Sequence, residues 1–107
     1  MQDIEKELIF FFEQVAQKDK SILKILKQKK YFCIEREGWH FTLPDLYFFL
    51  QKKDTVFHNI SYKQFRKLIF NSRINQFIKL HGAKIIIEGN KNKVDNSMYF
   101  LIWSGEN

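Results

Sequence analysis

Residues 61 to 82 read Ser61-Tyr62-Lys63-Gln64-Phe65-Arg66-Lys67-Leu68-Ile69-Phe70-Asn71-Ser72-Arg73-Ile74-Asn75-Gln76-Phe77-Ile78-Lys79-Leu80-His81-Gly82, and the phase of their apolar residues decides the fold. Ser61 and Gln64 have the spacing of a capping box, which opens a helix through Phe70 with Phe65, Leu68 and Ile69 on its inner face. Continued without a break, that face would bury Ser72 and Gln76. The next apolar positions are instead Phe70, Ile74, Phe77 and Ile78, so one straight helix cannot bury both sets. A break at Asn71-Ser72 resolves the conflict, because both residues tolerate turn geometry and Ser72 can cap a new helix. The new helix is expected over residues 72 to 81, ended by Gly82. Its stripe of Ile74, Phe77 and Ile78 leaves Arg73, Asn75, Gln76 and Lys79 facing outward.

Downstream, two strand-like runs, Lys84 to Glu88 and Met98 to Trp103, flank a Gly/Asn/Lys-rich tip and predict a hairpin. Upstream, Thr42 with Pro44 and Asp45 opens a helix through Leu50 and Gln51, whose stripe is Leu43, Leu46, Tyr47 and Leu50. Val56 to Ile60 then reads as short and extended. Tyr31 to Ile34 and Trp39 to Leu43 alternate around Glu35-Arg36-Glu37-Gly38 and read as a small hairpin. Nearer the start, Ile4, Leu8, Phe11, Phe12 and Val15 mark a helix over residues 3 to 16, with Asp3, Glu5 and Glu7 at the favourable end of its dipole. Ile9 and Phe10 widen its apolar face, which points to burial between two layers or to a contact with another chain. A second helical pattern runs through Ile22, Leu23, Ile25 and Leu26. Residues 3 to 30 are read as two helices interrupted near Lys18 to Lys20, with one continuous helix as the alternative.

The 107 residues suit one domain, and 45% hydrophobic with 17% aromatic residues supplies ample core material. The fold class expected is α+β, mainly α. Net charge is +6. Residues 1 to 60 balance at +1 and residues 61 to 107 at +5, so the excess falls on the helix and hairpin of the second half, where it would attract a polyanion. An alternative is that lysine simply keeps a phenylalanine-rich chain in solution. The lone Cys33, with no secretory-type start, fits a reducing cytoplasm, and the longest apolar run, Leu8 to Phe12, is far too short to span a bilayer, so no membrane partner is expected. Cys33, His40, His58 and His81 lack ligand spacing, there is no glycine-rich phosphate loop, and no nucleophile-base set appears. Neither a metal, a cofactor nor an enzyme is therefore expected.

The element order from Thr42 onward, helix, short strand, helix, tight turn, helix, strand, tip, strand, resembles the winged helix-turn-helix superfamily. The match covers Thr42 to Trp103 and lies at the level of the fold, with no family motif behind it. It implies a winged-helix core over residues 42 to 103, preceded by a helical and hairpin extension over residues 1 to 41 of the kind that often forms dimers. It also implies that the last helix enters the DNA major groove while the wing touches backbone or minor groove. On this chain Arg73, Asn75 and Gln76 would read base edges of double-stranded DNA, and Lys63, Lys67, Ser72 and Lys79 would hold phosphates. The wing residues would be Lys91, Asn92 and Lys93. The expected function is a small DNA-binding regulator or accessory factor, dimeric through its N-terminal helices. The competing reading is a winged-helix module without nucleic acid, which binds a protein through exposed aromatics among Leu8 to Phe12 and Tyr47 to Phe49.

Overall fold

The computed structural model describes residues 4–88 and 98–103. Five helices and a four-stranded antiparallel sheet form an α+β fold in which helix predominates. Helix α1 (Ile4–Ala16) buries Leu8, Phe11, Phe12 and Val15 as its stripe predicts, and Ile9 as well. The chain then turns at Lys18, whose φ of 60° lies in the left-handed region that unbranched polar residues enter at helix ends. Asp19 starts α2 (Lys20–Lys27) by accepting from the Ser21 amide at 2.9 Å, which settles residues 3 to 30 as two helices.

The first hairpin is shorter than its pattern predicts: β1 is Cys33–Ile34 and β2 is Gly38–Phe41. Leu43 leaves the strand because Thr42 caps α3 (Leu43–Lys53), accepting from the Asp45 amide at 3.4 Å and donating to the Asp45 carboxylate at 2.9 Å. The extended segment expected at Val56 to Ile60 is instead a 3₁₀ turn, Thr55–Asn59. Asp54 accepts from the Val56 amide at 3.1 Å, and the Tyr47 hydroxyl donates to the Ile60 carbonyl at 2.7 Å. Those bonds coil the backbone so that Val56, Phe57 and Ile60 all turn inward.

The capping box of α4 (Tyr62–Asn71) forms as read: the Gln64 amide donates to Ser61 Oγ and the Ser61 amide donates to Gln64 Oε1. The predicted break also forms, but Ser72 does not cap the helix that follows. Its backbone is extended and its hydroxyl donates back to the Ile69 carbonyl at 3.3 Å, so it closes α4. Helix α5 is only Ile74–Ile78, begins at Arg73 with no side-chain cap, and tightens into a 3₁₀ turn over Lys79–His81. Gly82, at φ 76°, ends it in the left-handed conformation that glycine adopts without cost.

Strands β3 (Ala83–Glu88) and β4 (Met98–Trp103) pair with Ala83 opposite Trp103 and Glu88 opposite Met98. The sheet order is β1-β2-β4-β3, and β2 lies on β4 with Gly38 opposite Ile102. The strand that completes the sheet therefore comes from residues 38–41, ahead of α3, rather than from residues 56–60. The boundary expected at 41/42 falls inside one hydrogen-bonded sheet and one core.

That core is aromatic. Trp39 stacks on Phe41 at 4.3 Å between centroids and meets Phe11 and Phe32 edge-on, while Phe32 meets Phe49. Trp39, Phe41, Tyr99, Leu101 and Trp103 form the inner face of the sheet. The Trp103 indole N–H donates to the Val15 carbonyl at 2.8 Å, a carbonyl that also accepts the Lys18 amide at 2.9 Å, so the last strand is tied to the end of α1. On the outer sheet face His40 stacks on Phe100 at 3.9 Å and 6° and reaches Glu35 at 3.2 Å. Phe49, expected in the open, is buried, as are four of the five residues Leu8 to Phe12; Phe10 and Phe48 remain exposed.

Candidate nucleic-acid interface

Of the ten residues in α4, only Phe65 is fully buried. Tyr62, Leu68 and Ile69 are half-buried against the core beside it. Lys63 and Lys67 are exposed one turn apart, and Asn71 follows one turn later, so a polar ridge runs the length of the helix. Arg66 stands half-buried over the Tyr62 ring at 6.0 Å. Gln64 is exposed, yet its carboxamide oxygen is already held by the Ser61 amide.

On α5 the predicted stripe holds for Ile74 and Ile78, which are buried, with Phe77 half-buried. Arg73, Gln76 and Lys79 face solvent as read. The Arg73 guanidinium lies over the Phe77 ring at 5.7 Å, a contact that orients the arginine without neutralising it. Asn75 is different: its Oδ1 accepts from the Ile85 amide at 2.9 Å. Ile85 belongs to the edge strand β3, whose outward amides have no strand neighbour, and the carboxamide covers one of them. Reading adenine takes both the oxygen and the nitrogen of an asparagine side chain, so Asn75 in this position is first an edge-strand clamp. Ser72, named as a phosphate contact, is half-buried with its hydroxyl turned to Ile69.

The structure brings some of these residues together. Asn75 and Lys79 line a shallow depression with Gly82, Ala83, Lys84 and Ile102, so Lys84, missed in the sequence reading, joins the α5 cations. Its signal was its place at the start of a strand immediately after the last helix turn. Ser72 and Asn75 instead border a separate apolar cleft of about 220 Å³, with Phe70 and Ile87 on its rim. Lys63 and Lys67 share no side-chain hydrogen bond or ion pair with the α5 set among the described residues. Lys91, Asn92 and Lys93, the expected wing contacts, lie outside the described residues.

The exposed lysines here are without an internal counter-charge among the described residues. Lys63, Lys67, Lys79 and Lys84 make no ion pair within the described residues, whereas His40 meets Glu35 and His81 meets Glu13 there. The second of these matters for position. His81 lies 3.3 Å from Glu13 and 3.2 Å from Gln17, which ties the turn after α5 to α1. No group of three or more His, Cys, Asp or Glu residues that could hold a metal occurs among the described residues, and Cys33 is exposed. No helix there is long and apolar enough to cross a membrane.

Comparison with protein-family models, with curated proteins and with solved structures gave no match to this chain.

Proposed function

We propose that this chain is a DNA-binding module of winged-helix type, and that it grips duplex phosphates through α4, the Ser72-Arg73 turn, α5 and the start of β3. The observation that carries this reading is the run of uncompensated cations on consecutive elements: Lys63 and Lys67 on α4, Arg73 and Lys79 around α5, and Lys84 on β3. Each is exposed, and the four lysines lack an internal partner among the described residues. Such side chains release counterions when they meet phosphates. The sheet supports the winged-helix part: β2, β4 and β3 lie side by side with the last strand in the middle, and the last connection, residues 89–97, holds Lys91, Asn92 and Lys93, which would serve as the wing.

Within this reading the roles shift from those the sequence implies. Helix α4, twice as long as α5 and with Lys63, Lys67 and Asn71 on an exposed ridge, is the better-formed element to lie along a groove. Arg73 and Gln76 remain base readers, because both have their donors and acceptors open. Asn75 and Ser72 become supports that hold α5 against β3 and close α4. The protein acts as a small regulator or accessory factor of DNA transactions in the cytoplasm.

The test is fluorescence anisotropy with random-sequence duplex DNA over a salt series, followed by selection of preferred sequences. Affinity falls as salt rises, and replacing Arg73 and Gln76 with alanine flattens sequence preference more than it weakens binding to random DNA. Absence of binding at low salt, or binding indifferent to salt, removes the reading.

The aromatic protein-docking alternative rests on residues the fold has mostly used. Leu8, Ile9, Phe11, Phe12 and Phe49 are core, and Phe10 and Phe48 share no ring contact. The wide apolar face of α1 is likewise consumed within one chain, apart from Phe10, which leaves little of it for the expected dimer.

A further inference from the structure

The first half of the chain, nearly neutral in sum, contains one strongly cationic segment. Residues 18 to 30 hold Lys18, Lys20, Lys24, Lys27, Lys29 and Lys30 against Asp19 alone. Helix α2 buries Ile22 and Leu26 and exposes Lys20, Lys24 and Lys27, spaced i, i+4 and i+7, so the ammonium groups climb the helix in steps of about 5 to 6 Å. Beyond its end a groove of about 240 Å³ is lined by Ile25, Lys29, Tyr31, Phe49, Lys52 and Lys53. Two elements distant in sequence thus place three more lysines on one concavity.

The nearby acids make no ion pair with these lysines among the described residues. Asp19 and Asp54 are committed to backbone amides as caps, and Asp45 is held by the Thr42 hydroxyl. None of Lys20, Lys24, Lys27, Lys29, Lys52 and Lys53 makes an ion pair among the described residues. Tyr31 adds no charge, because burial first and the Asp45 carboxylate second raise its hydroxyl above the ordinary tyrosine value of 10.0.

This surface is not the one already described. Helix α2 packs against β1, whereas α5 packs against β3, and β1 and β3 are opposite edges of the sheet. Three strand spacings, about 14 Å, separate those edges before the helices themselves are counted. We infer that the lysines of α2 and of the end of α3 form a second phosphate-binding surface, which takes the sugar-phosphate backbone of a second nucleic-acid segment.

The shape favours a backbone over a lipid surface. Peripheral membrane binding inserts a protruding apolar edge between headgroups. Here Ile25, though partly exposed, lies in the wall of a lysine-lined groove, and the partly exposed Phe48 ring has the Lys52 ammonium over it at 4.3 Å. The set contains lysine and no arginine or asparagine to read a base edge, so recognition is of phosphate and independent of sequence.

With α4 and α5 on the other flank, one molecule bridges two segments; the bridging, though not the surface, rests on the function proposed above. The experiment uses the full chain and two variants, Lys24→Gln/Lys27→Gln/Lys52→Gln/Lys53→Gln and Lys63→Gln/Lys67→Gln/Arg73→Gln. Each is assayed for affinity to one labelled duplex and for capture of that duplex on a second, bead-bound one. The α2–α3 variant is expected to bind a single duplex nearly as the parent does but to lose capture by at least about tenfold. The α4–α5 variant is expected to keep a weaker, salt-sensitive affinity. If the α4–α5 variant binds like the parent while the α2–α3 variant loses single-duplex binding, this surface stands and the earlier reading fails. Undiminished capture by the α2–α3 variant overturns the inference. So does a loss confined to vesicles of equal parts phosphatidylserine and phosphatidylcholine, which would make the surface a lipid one.

Discussion

Replacing Gly38 with alanine tests the join on which the architecture depends. A Cβ at Gly38 would sit 2.1 Å from the Leu101 carbonyl oxygen, 2.7 Å from Phe100 Cε1 and 3.0 Å from the Leu101 carbonyl carbon. Two of those three atoms are backbone of β4, a strand paired on both sides and unable to retreat. The substituted β2 must therefore move off β4 by roughly 1 Å or more to restore ordinary contact. That movement breaks the pairing of Gly38 with Ile102 and strains the bond from the Trp103 amide to the Glu37 carbonyl, now 2.9 Å. Overpacking contributes about 1 to 3 kcal/mol and the loss of two backbone hydrogen bonds about 1 kcal/mol each, for a total near 3 to 5 kcal/mol. In a domain of this size the thermal midpoint should fall by about 15 to 30 °C. Urea unfolding followed by the fluorescence of the buried Trp39 and Trp103 measures it directly. A loss below about 1 kcal/mol with an unchanged urea slope would refute the close approach of β2 to β4 and return residues 33–41 to the status of an appendage.

Asn75→Ala should cost about 1 kcal/mol and strip hydrogen-exchange protection from the Ile85 amide; unchanged exchange there would mean that the amide has another acceptor. Ser61→Ala, which removes half of the capping box, should destabilise by about 1 kcal/mol and fray the start of α4, seen as loss of amide protection at Gln64. If α4 carries phosphate contacts, the same variant weakens DNA binding although Ser61 itself contacts no ligand. Neutralising Lys63 and Lys67 together should make the slope of log affinity against log salt shallower by about 1.8, at 0.9 for each phosphate left without its lysine. An unchanged slope would take both residues off the DNA.

The parts of the fold that were legible are those decided within a few residues of chain. The Ser61/Gln64 box, the Thr42 cap and the apolar spacing of α1 are local, and each formed as read. The phase break at Asn71-Ser72 was legible too, because incompatible stripes are a property of spacing alone. What Ser72 does there was not, since a serine hydroxyl serves equally as an N-cap acceptor or as a donor to the carbonyl three residues back. Val56 to Ile60 looked extended from its β-branched and aromatic residues; Asp54, two residues before Val56, supplied the cap that coiled it. The partnership of β2 with β4 lay beyond any local signal, for it joins residues about sixty apart and depends on a missing Cβ at Gly38. Asn75 was read as a free carboxamide for the same reason: its acceptor role exists only once β3 folds back beside α5.

The candidate site shows how charge changes meaning between chain and surface. Summed along the sequence, residues 1 to 60 come to +1 and draw attention away from themselves. Folding separates what the sum mixes. Three carboxylates of this stretch accept from a backbone amide or a hydroxyl, Asp19 and Asp54 at caps and Asp45 beside Thr42, while the lysines of α2 and α3 stay outside with no ion-pair partner among the described residues. The positive end of a helix dipole favours an acid, as Asp19 before α2 and Asp45 in the first turn of α3, and its negative end favours lysines, as Lys24 and Lys27 close α2 and Lys52 and Lys53 close α3. Lys29, just past α2, meets Lys52 and Lys53 of α3 in one groove, while Lys24 and Lys27 line a separate depression with Lys20, so a pattern that stabilises each helix separately also gives this flank its cationic surface. Helix stability accounts for the presence of those lysines; it does not account for their convergence, and convergence is the property a phosphate backbone would use.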